Sequence, residues 1–159
     1  MISDFKMTRR VEFAETDMAG IVHFSNFFRY METAEHEFFR SLGLSLHKDE
    51  DGQVEGWVRV HAACDYVSPA RYQDLLEIRL VVRKKGTKSM RYGFGFHVVD
   101  EDAGTAGPEI ATGELVCVHA ERVDGEGKPT LVATPIPDEI AQRVAAAPCE
   151  PGEPGTESA

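Results

Sequence analysis

Apolar residues recur at three- and four-residue steps in one long stretch of the chain, where Phe27, Phe28, Met31, Ala34, Phe38, Phe39 and Leu42 form a single helical stripe. Arg29, Glu32, His36, Glu37 and Arg40 lie largely off it. With Ser25 as the N-terminal cap and Gly43 just past the end, the stretch predicts a helix of roughly sixteen to eighteen residues, about 25 Å long. Elsewhere the period is two. Residues 5–13 alternate Met7, Arg9, Val11 and Phe13 against Lys6, Thr8, Arg10 and Glu12, and residues 57–67 alternate Val58, Val60, Ala62, Cys64 and Tyr66 against Arg59, His61, Ala63 and Asp65. Leu76, Ile78, Leu80 and Val82 mark a strand over 75–83, and Met90, Tyr92, Phe94, Phe96 and Val98 another over 89–99. A fifth is expected over 110–122.

The breakers fit this outline. Pro69 ends regular pairing because proline donates no ladder hydrogen bond, and Gly93, Gly95 and Gly113 are placed to bend a sheet around a bulky helix. Asp49-Glu50-Asp51-Gly52 and residues 100–109 read as solvated connections, and 125–127 as a turn. Residues 129–133 read as a short edge, and a brief helix is expected from Pro137-Asp138 to about Ala145. From Ala147 the Pro, Gly, Glu, Ser and Thr composition is that of a disordered end. The expected architecture is α+β: one domain over 1–146, an antiparallel sheet of about five strands wrapped around one long central helix, then a tail over 147–159.

Charge narrows the partners. Asp and Glu number 27 against 17 Lys and Arg, a formal net charge of -10, which argues against nucleic acid or an anionic membrane as main partner. No apolar run reaches the roughly 20 residues that span a bilayer, and residues 1–6 lack a signal peptide's layout, so a cytoplasmic protein is expected. Cys64, Cys117 and Cys149 have no paired spacing, so neither a disulfide framework nor a metal site is expected.

The candidate chemistry lies between Glu15 and Glu32. Asp17 sits in a tight loop before Gly20, and the helix opens near Phe24 and Ser25. A helix start presents unpaired N–H groups and the positive dipole end, which polarise a thioester or ester carbonyl and stabilise the oxyanion formed on attack. Asp17, the nearest acid outside the helix, either attacks the carbonyl carbon or deprotonates a water that does so. On residue type alone an Asp here reads first as a turn former, since its side chain readily bonds the backbone that follows it.

The segment from Arg10 to about Arg40 resembles the signature of the hot-dog-fold acyl-CoA thioesterases of the 4-hydroxybenzoyl-CoA thioesterase-like group. That signature is an Asp, a small-Gly-aliphatic-aliphatic-aromatic-aromatic run, and an Asn before the long helix. Ser68-Pro69-Ala70-Arg71-Tyr72-Gln73-Asp74-Leu75-Leu76 resembles the same group's turn between strands, and the likeness extends over about residues 5–140. The resemblance implies a hot-dog fold, a homodimer or homotetramer with active sites at the dimer interface, and hydrolysis of an acyl-CoA to free acid and coenzyme A with no cofactor beyond coenzyme A as part of the substrate. It implies Asp17 as the catalytic acid, the Phe24 backbone N–H as the carbonyl polariser, and Asn26 as the Asn at the helix start. Phe27, Phe28 and Glu32 would then face the acyl group. Relatives often carry His at the position of Phe24 and an aromatic residue at that of His23, so no family role passes to His23. It reads as lining a pocket, as loop surface or as an accessory proton donor.

Arg83, Lys84, Lys85, Lys88 and Arg91 place five cations within nine residues around Gly86. On composition this is equally a solvated hairpin tip and a phosphate contact. The family holds coenzyme A phosphates near this hairpin, so Lys84, Lys85, Lys88 and Arg91 are the expected CoA contacts. Glu32, Glu35 and His36 are otherwise expected on a solvated or interface face of the helix, and because two other hot-dog subgroups place their acid on this helix, Glu32 and Glu35 stand as alternates to Asp17. His47, His61, His97 and His119 show no ligand spacing. Two other functions fit the same fold: a hydroxyacyl-thioester dehydratase, and a non-catalytic module that binds acyl-CoA or an acyl-carrier protein.

Overall fold

The computed structural model describes residues 1–50, 53–125 and 128–148. The elements run β1 (Asp4–Arg10), a 3-10 turn (Phe13–Glu15), α1 (Ser25–Ser41), β2 (Lys48–Glu50), β3 (Gln53–Tyr66), β4 (Leu75–Lys85), β5 (Ser89–Asp100), β6 (Thr105–Val123), β7 (Thr130–Ala133) and α2 (Asp138–Ala141). The strands form one antiparallel sheet in the order β1-β4-β5-β6-β3-β2, with β7 paired to the end of β6. This is the hot-dog arrangement: the five expected long strands, the expected short edge as β7, and one unexpected short strand, β2, where Asp49 and Glu50 read as a solvated connection.

The 17-residue α1 lies in the curl of the sheet because its stripe has nowhere else to go. Phe27, Tyr30, Met31, Ala34, Phe38 and Phe39 are buried with Leu76, Ile78, Leu80, Tyr92, Phe94, Phe96 and Leu115 of the sheet, while Phe28 and Leu42 sit at the margin. Each such large side chain contributes about 2 kcal/mol by leaving water. Gly113 makes the close approach possible: a Cβ there would lie 2.3 Å from the Met31 Sδ. At its far end the helix stops on Gly43, at φ +68°, whose N–H donates to the Arg40 carbonyl at 2.9 Å while the Leu44 N–H donates to that of Phe39 at 3.0 Å. Those two bonds satisfy carbonyls the last turn would otherwise leave bare. The start differs from expectation. Phe24, not Ser25, is the cap residue and no side chain caps it.

β3 carries a second correction. Its pairing with β6 skips one residue between Arg59 and His61, so Val60 bulges outward, 58 % exposed. The bulge swaps the strand's faces. Arg59 stands opposite the buried Cys117 and points inward, whereas beyond the bulge it is Ala62 and Cys64, opposite Leu115 and Gly113, that do so. Unbroken alternation predicts Val58 and Val60 on the inner side.

Other boundaries move for local reasons. β1 ends at Arg10 because the Val11 N–H turns to the Asp74 carbonyl at 2.9 Å and the chain enters the 3-10 turn. β6 starts at Thr105, since Gly104, at φ +67°, closes a tight turn onto Asp100 in place of a long loop. α2 is only four residues long; just beyond it Val144 bridges Ile2 and the Ala145 N–H donates to the Ile2 carbonyl, drawing the chain against the N-terminus. The expected tail lies, from residue 149 onward, outside the described residues, as do residues 51–52 and 126–127 of two expected turns.

Candidate active site

Residues 15–23 fold back on themselves as a short ladder. The Glu15 carbonyl accepts the His23 N–H at 2.9 Å, Thr16 stands opposite Val22, and the Asp17 N–H donates to the Ile21 carbonyl at 2.9 Å. Gly20, at φ +74°, closes the tip by donating to the Asp17 carbonyl at 2.9 Å, a conformation that glycine adopts without strain. The ladder is fastened to the body through Val22, whose N–H donates to the Ala70 carbonyl at 2.8 Å, and through Ile21 bridged to Arg71. Asp17 is half-buried. Its Oδ1 accepts the Ala19 N–H at 2.8 Å, and its other oxygen has no partner among the described residues. One oxygen therefore holds the turn and the second is left for chemistry.

The helix start leaves a matching donor. The Asn26 N–H donates to the His23 carbonyl at 2.9 Å, the Phe27 N–H to that of Phe24 at 3.3 Å, and the Ser25 N–H to His23 Nδ1 at 3.4 Å. The Phe24 N–H has no acceptor among the described residues, and it lies where the helix dipole is positive. A free carboxylate oxygen and a free N–H thus stand at the two ends of the Asp17–Phe24 segment, and together they suit attack on a carbonyl.

The other expected site residues divide. The Phe24 ring is 61 % exposed, with the exposed His23 ring 4.5 Å away, and His23 Nδ1 is 2.8 Å from Ser25 Oγ. Phe27 is only 3 % exposed and packs on Tyr30, Tyr66 and Phe96, so it belongs to the core rather than lining a substrate surface; Phe28 is half-buried. Asn26 is a brace, its Nδ2 donating to the Glu15 carbonyl at 2.8 Å. Glu32 and His36 are exposed as expected. Glu35 is not: it is fully buried, ion-paired with Arg59 and 3.7 Å from Cys117 Sγ. Burial outweighs Arg59 there and pushes its carboxyl up to about 7.

The cationic hairpin between β4 and β5 also needs correcting. Lys85 Nζ donates to the Ala141 and Val144 carbonyls, both at 2.7 Å, so it ties down α2 rather than waiting for phosphate. Arg91 pairs with Glu114 at 3.4 Å, and Lys88 Nζ donates to the Ala133 carbonyl at 2.9 Å; Lys84 is exposed. The hairpin and the Asp17 loop occupy opposite ends of β4. The loop is fastened at Ala70 and Arg71, just before the strand, and the hairpin lies beyond Lys85, ~33 Å along an eleven-residue strand. Within one chain the cations and Asp17 do not share a site.

Two neighbours of the site escaped sequence reasoning. Tyr66, 45 % exposed, donates its hydroxyl to the Phe24 carbonyl at 3.1 Å, and burial with Cys64 close by pushes its phenol up to about 12. As the last member of an alternating strand it reads as ordinary core. Glu15, whose carboxylate and carbonyl are both engaged, is overshadowed in sequence by the acid two positions on. A cavity of about 320 Å³ lined by Arg10, Val11, Glu12, Phe13, Tyr72 and Gln73 lies nearby without including Asp17 or Phe24.

Comparison with known proteins gives this geometry a context. Residues 11–144 match the family model of the thioesterase-like superfamily. A protein of Aquifex aeolicus (strain VF5) that bears an esterase name is 37 % identical over 122 residues, covering 74 % of this chain and 93 % of that one. The 4-hydroxybenzoyl-CoA thioesterase of Pseudomonas sp. (strain CBS-3) is 30 % identical over 91 residues, 56 % of this chain and 64 % of that one. Among solved structures, an Asp-to-Asn mutant of 4-hydroxybenzoyl-CoA thioesterase complexed with 4-hydroxybenzoyl-CoA superposes with a TM-score of 0.72 at 25 % identity, over 88 % of this chain and 98 % of that one. A helix held in a curled antiparallel sheet therefore has its counterpart in hydrolytic enzymes, and the chain belongs to the thioesterase-like superfamily as a thioester hydrolase of the hot-dog fold.

Proposed function

We propose that the protein hydrolyses an acyl-CoA to the free acid and coenzyme A, with Asp17 and the Phe24 N–H as its reacting groups. The observation that carries this reading is the pairing of one uncommitted Asp17 oxygen with the uncommitted Phe24 N–H at the start of α1. The thioester carbonyl oxygen accepts the Phe24 N–H, which stabilises the oxyanion as charge develops. The Asp17 carboxylate then acts at the carbonyl carbon, taking a proton from the attacking water or first forming a mixed anhydride that water opens. The C–S bond breaks, the thiolate leaves and takes up a proton, and the acid is released. The scheme calls on neither metal nor cofactor.

The other half of the site is supplied by a second copy. β2 pairs only with residues 53–55 of β3, so from Gly56 to Tyr66 the strand's outer edge is unpaired among the described residues. Antiparallel pairing of this edge with itself about a two-fold axis sets Gly56 of one copy beside Tyr66 of the other. Trp57 stands opposite His119, whose N–H donates to the Lys88 carbonyl, whereas Tyr66 reaches the Phe24 carbonyl. Each hairpin is thereby brought to the Asp17 end of the other chain, where Lys84 and Lys88 can meet CoA phosphates. A homodimer, or a tetramer of two such dimers, is the assembly this implies. An aromatic acyl group is favoured by the exposed Phe24 and Tyr66 rings and by the solved relative that holds 4-hydroxybenzoyl-CoA. The test is thiol release across a panel of acyl-CoAs with the wild type and Asp17→Asn. Turnover falling at least about a hundredfold in a variant of unchanged melting temperature supports the reading; near-full turnover in Asp17→Asn refutes it. An enoyl product would indicate a dehydratase, and saturable binding without thiol release a binding module.

A further inference from the structure

Glu15 is tied from both its side chain and its backbone. Its Oε1 accepts Arg9 Nη2 at 2.5 Å, and its Oε2 accepts the Tyr30 hydroxyl and the Glu12 N–H, each at 2.9 Å. The Arg9 guanidinium also lies over the Tyr30 ring, 4.5 Å from its centre. The Glu15 carbonyl meanwhile accepts two donors from the start of α1, Asn26 Nδ2 at 2.8 Å and the His23 N–H at 2.9 Å. One residue thus joins β1, through Arg9, to the first two turns of the helix, through Asn26 and Tyr30. It does so two residues before Asp17 and at the rung of the ladder adjoining Phe24. A surface ion pair is worth little; this one is half-buried, with side-chain exposures of 23 % for Arg9 and 15 % for Glu15, and shares its carboxylate with a wholly buried tyrosine.

From this geometry we infer that Glu15 is a positioning residue for the hydrolysis: its carboxylate, gripped by Arg9 and Tyr30, holds its own carbonyl against His23 and Asn26 and so sets the free Asp17 oxygen and the Phe24 N–H in register. The inference rests on the acyl-CoA reading and deepens it. Glu15 touches no substrate atom. It acts through the ladder, and misplacement of reacting groups by about 1 Å is enough to cost about a hundredfold in rate. Arg9, Asn26 and Tyr30 belong to the same device.

The experiment pairs kinetics with amide hydrogen exchange in the full-length protein, using Glu15→Gln and Tyr30→Phe, both of which keep side-chain volume. Expected for Glu15→Gln is a fall of about ten- to a hundredfold in kcat with KM within about twofold. Exchange at the ladder amides of Asp17, Gly20, Val22 and His23 should quicken at least about tenfold while β4 and β5 amides are unchanged. Tyr30→Phe should move both readouts the same way by less, and Glu15→Asp should restore part of kcat. Wild-type kcat in Glu15→Gln, or ladder exchange at the wild-type rate, overturns the positioning role. So does a fall in kcat matched by general loss of sheet protection, since that marks mere destabilisation. A wild type that turns over no acyl-CoA defeats the functional reading instead, and the exchange data still report the tether.

Discussion

Replacing the buried Glu35 by Gln tests how the core tolerates an acid. Glu35 is fully buried on α1, faced by Arg59 from β3, Cys117 from β6 and Tyr92 from β5, with Glu32 nearby on its own helix. Burial is the largest influence and Arg59 only partly offsets it, so the carboxyl moves from an ordinary 4.5 up to about 7. The folded protein therefore keeps a proton that the unfolded chain has already lost between those two values. Stability from this group is complete below about 4.5 and disappears as pH rises through about 7. At about 1.4 kcal/mol per unit the effect is worth roughly 3 to 4 kcal/mol. Urea unfolding of wild type and Glu35→Gln at steps between pH 4 and 8 isolates it, because every other titrating group cancels in the difference. The wild type should lose roughly 3 kcal/mol relative to Gln across that range. A difference that is flat, or that grows in favour of wild type as pH rises, would mean that Arg59 holds Glu35 ionised and that burial is not the larger effect.

Two further outcomes test the proposed assembly. Val60→Asp, at the exposed bulge in the middle of the unpaired β3 edge, should convert the dimer to monomer by light scattering and abolish thiol release; an unchanged dimer removes the edge pairing. Replacing Lys84 and Lys88 by Ala should raise KM for acyl-CoA about tenfold, worth about 1.4 kcal/mol, and leave KM for a short pantetheine thioester alone. Equal effects on the two substrates would exclude phosphate contact at the hairpin.

What the sequence made legible was whatever local chemistry decides. The stripe from Phe27 to Leu42 announces α1 because every large apolar residue in it faces one sheet, and Gly43 marks the end because only its left-handed φ of +68° completes the cap. Asp17 is equally local: its carboxylate holds the turn it belongs to. What stayed hidden depends on distant partners. Glu35 sits four residues after Met31 and four before Phe39, squarely on the stripe, yet a carboxylate there makes sense only once Arg59 and Cys117 arrive from β3 and β6. The Val60 bulge carries no glycine or proline to betray it, so the two-residue period runs straight through it and puts the wrong residues inside. Lys85 looks like part of a ligand-facing run until the end of α2 and Val144 just beyond it, more than fifty residues later, supply the carbonyls it binds.

The exposed edge and the unfinished site have a common explanation. Unpaired strands are ordinarily blunted by proline, charge or shortness, because a bare ladder invites another chain. β3 runs 14 residues with no proline, and Val60, Tyr66 and the adjoining Val67 lie exposed along it and at its end, at 58 %, 45 % and 74 %. In the same chain the cavity beside the loop is lined by Arg10, Val11, Glu12, Phe13, Tyr72 and Gln73 rather than by Asp17 and Phe24, and the cations suited to a phosphate ligand stand at the wrong end of β4. Two-fold pairing across the edge would remedy all three defects at once, covering the ladder, walling the reacting groups and delivering Lys88 of one copy to Asp17 of the other. If that pairing holds, a monomeric variant should be well folded but inactive, its Asp17 and Phe24 intact and its substrate contacts missing. Activity surviving in a proven monomer would refute the pairing, because the site would then be complete within one chain.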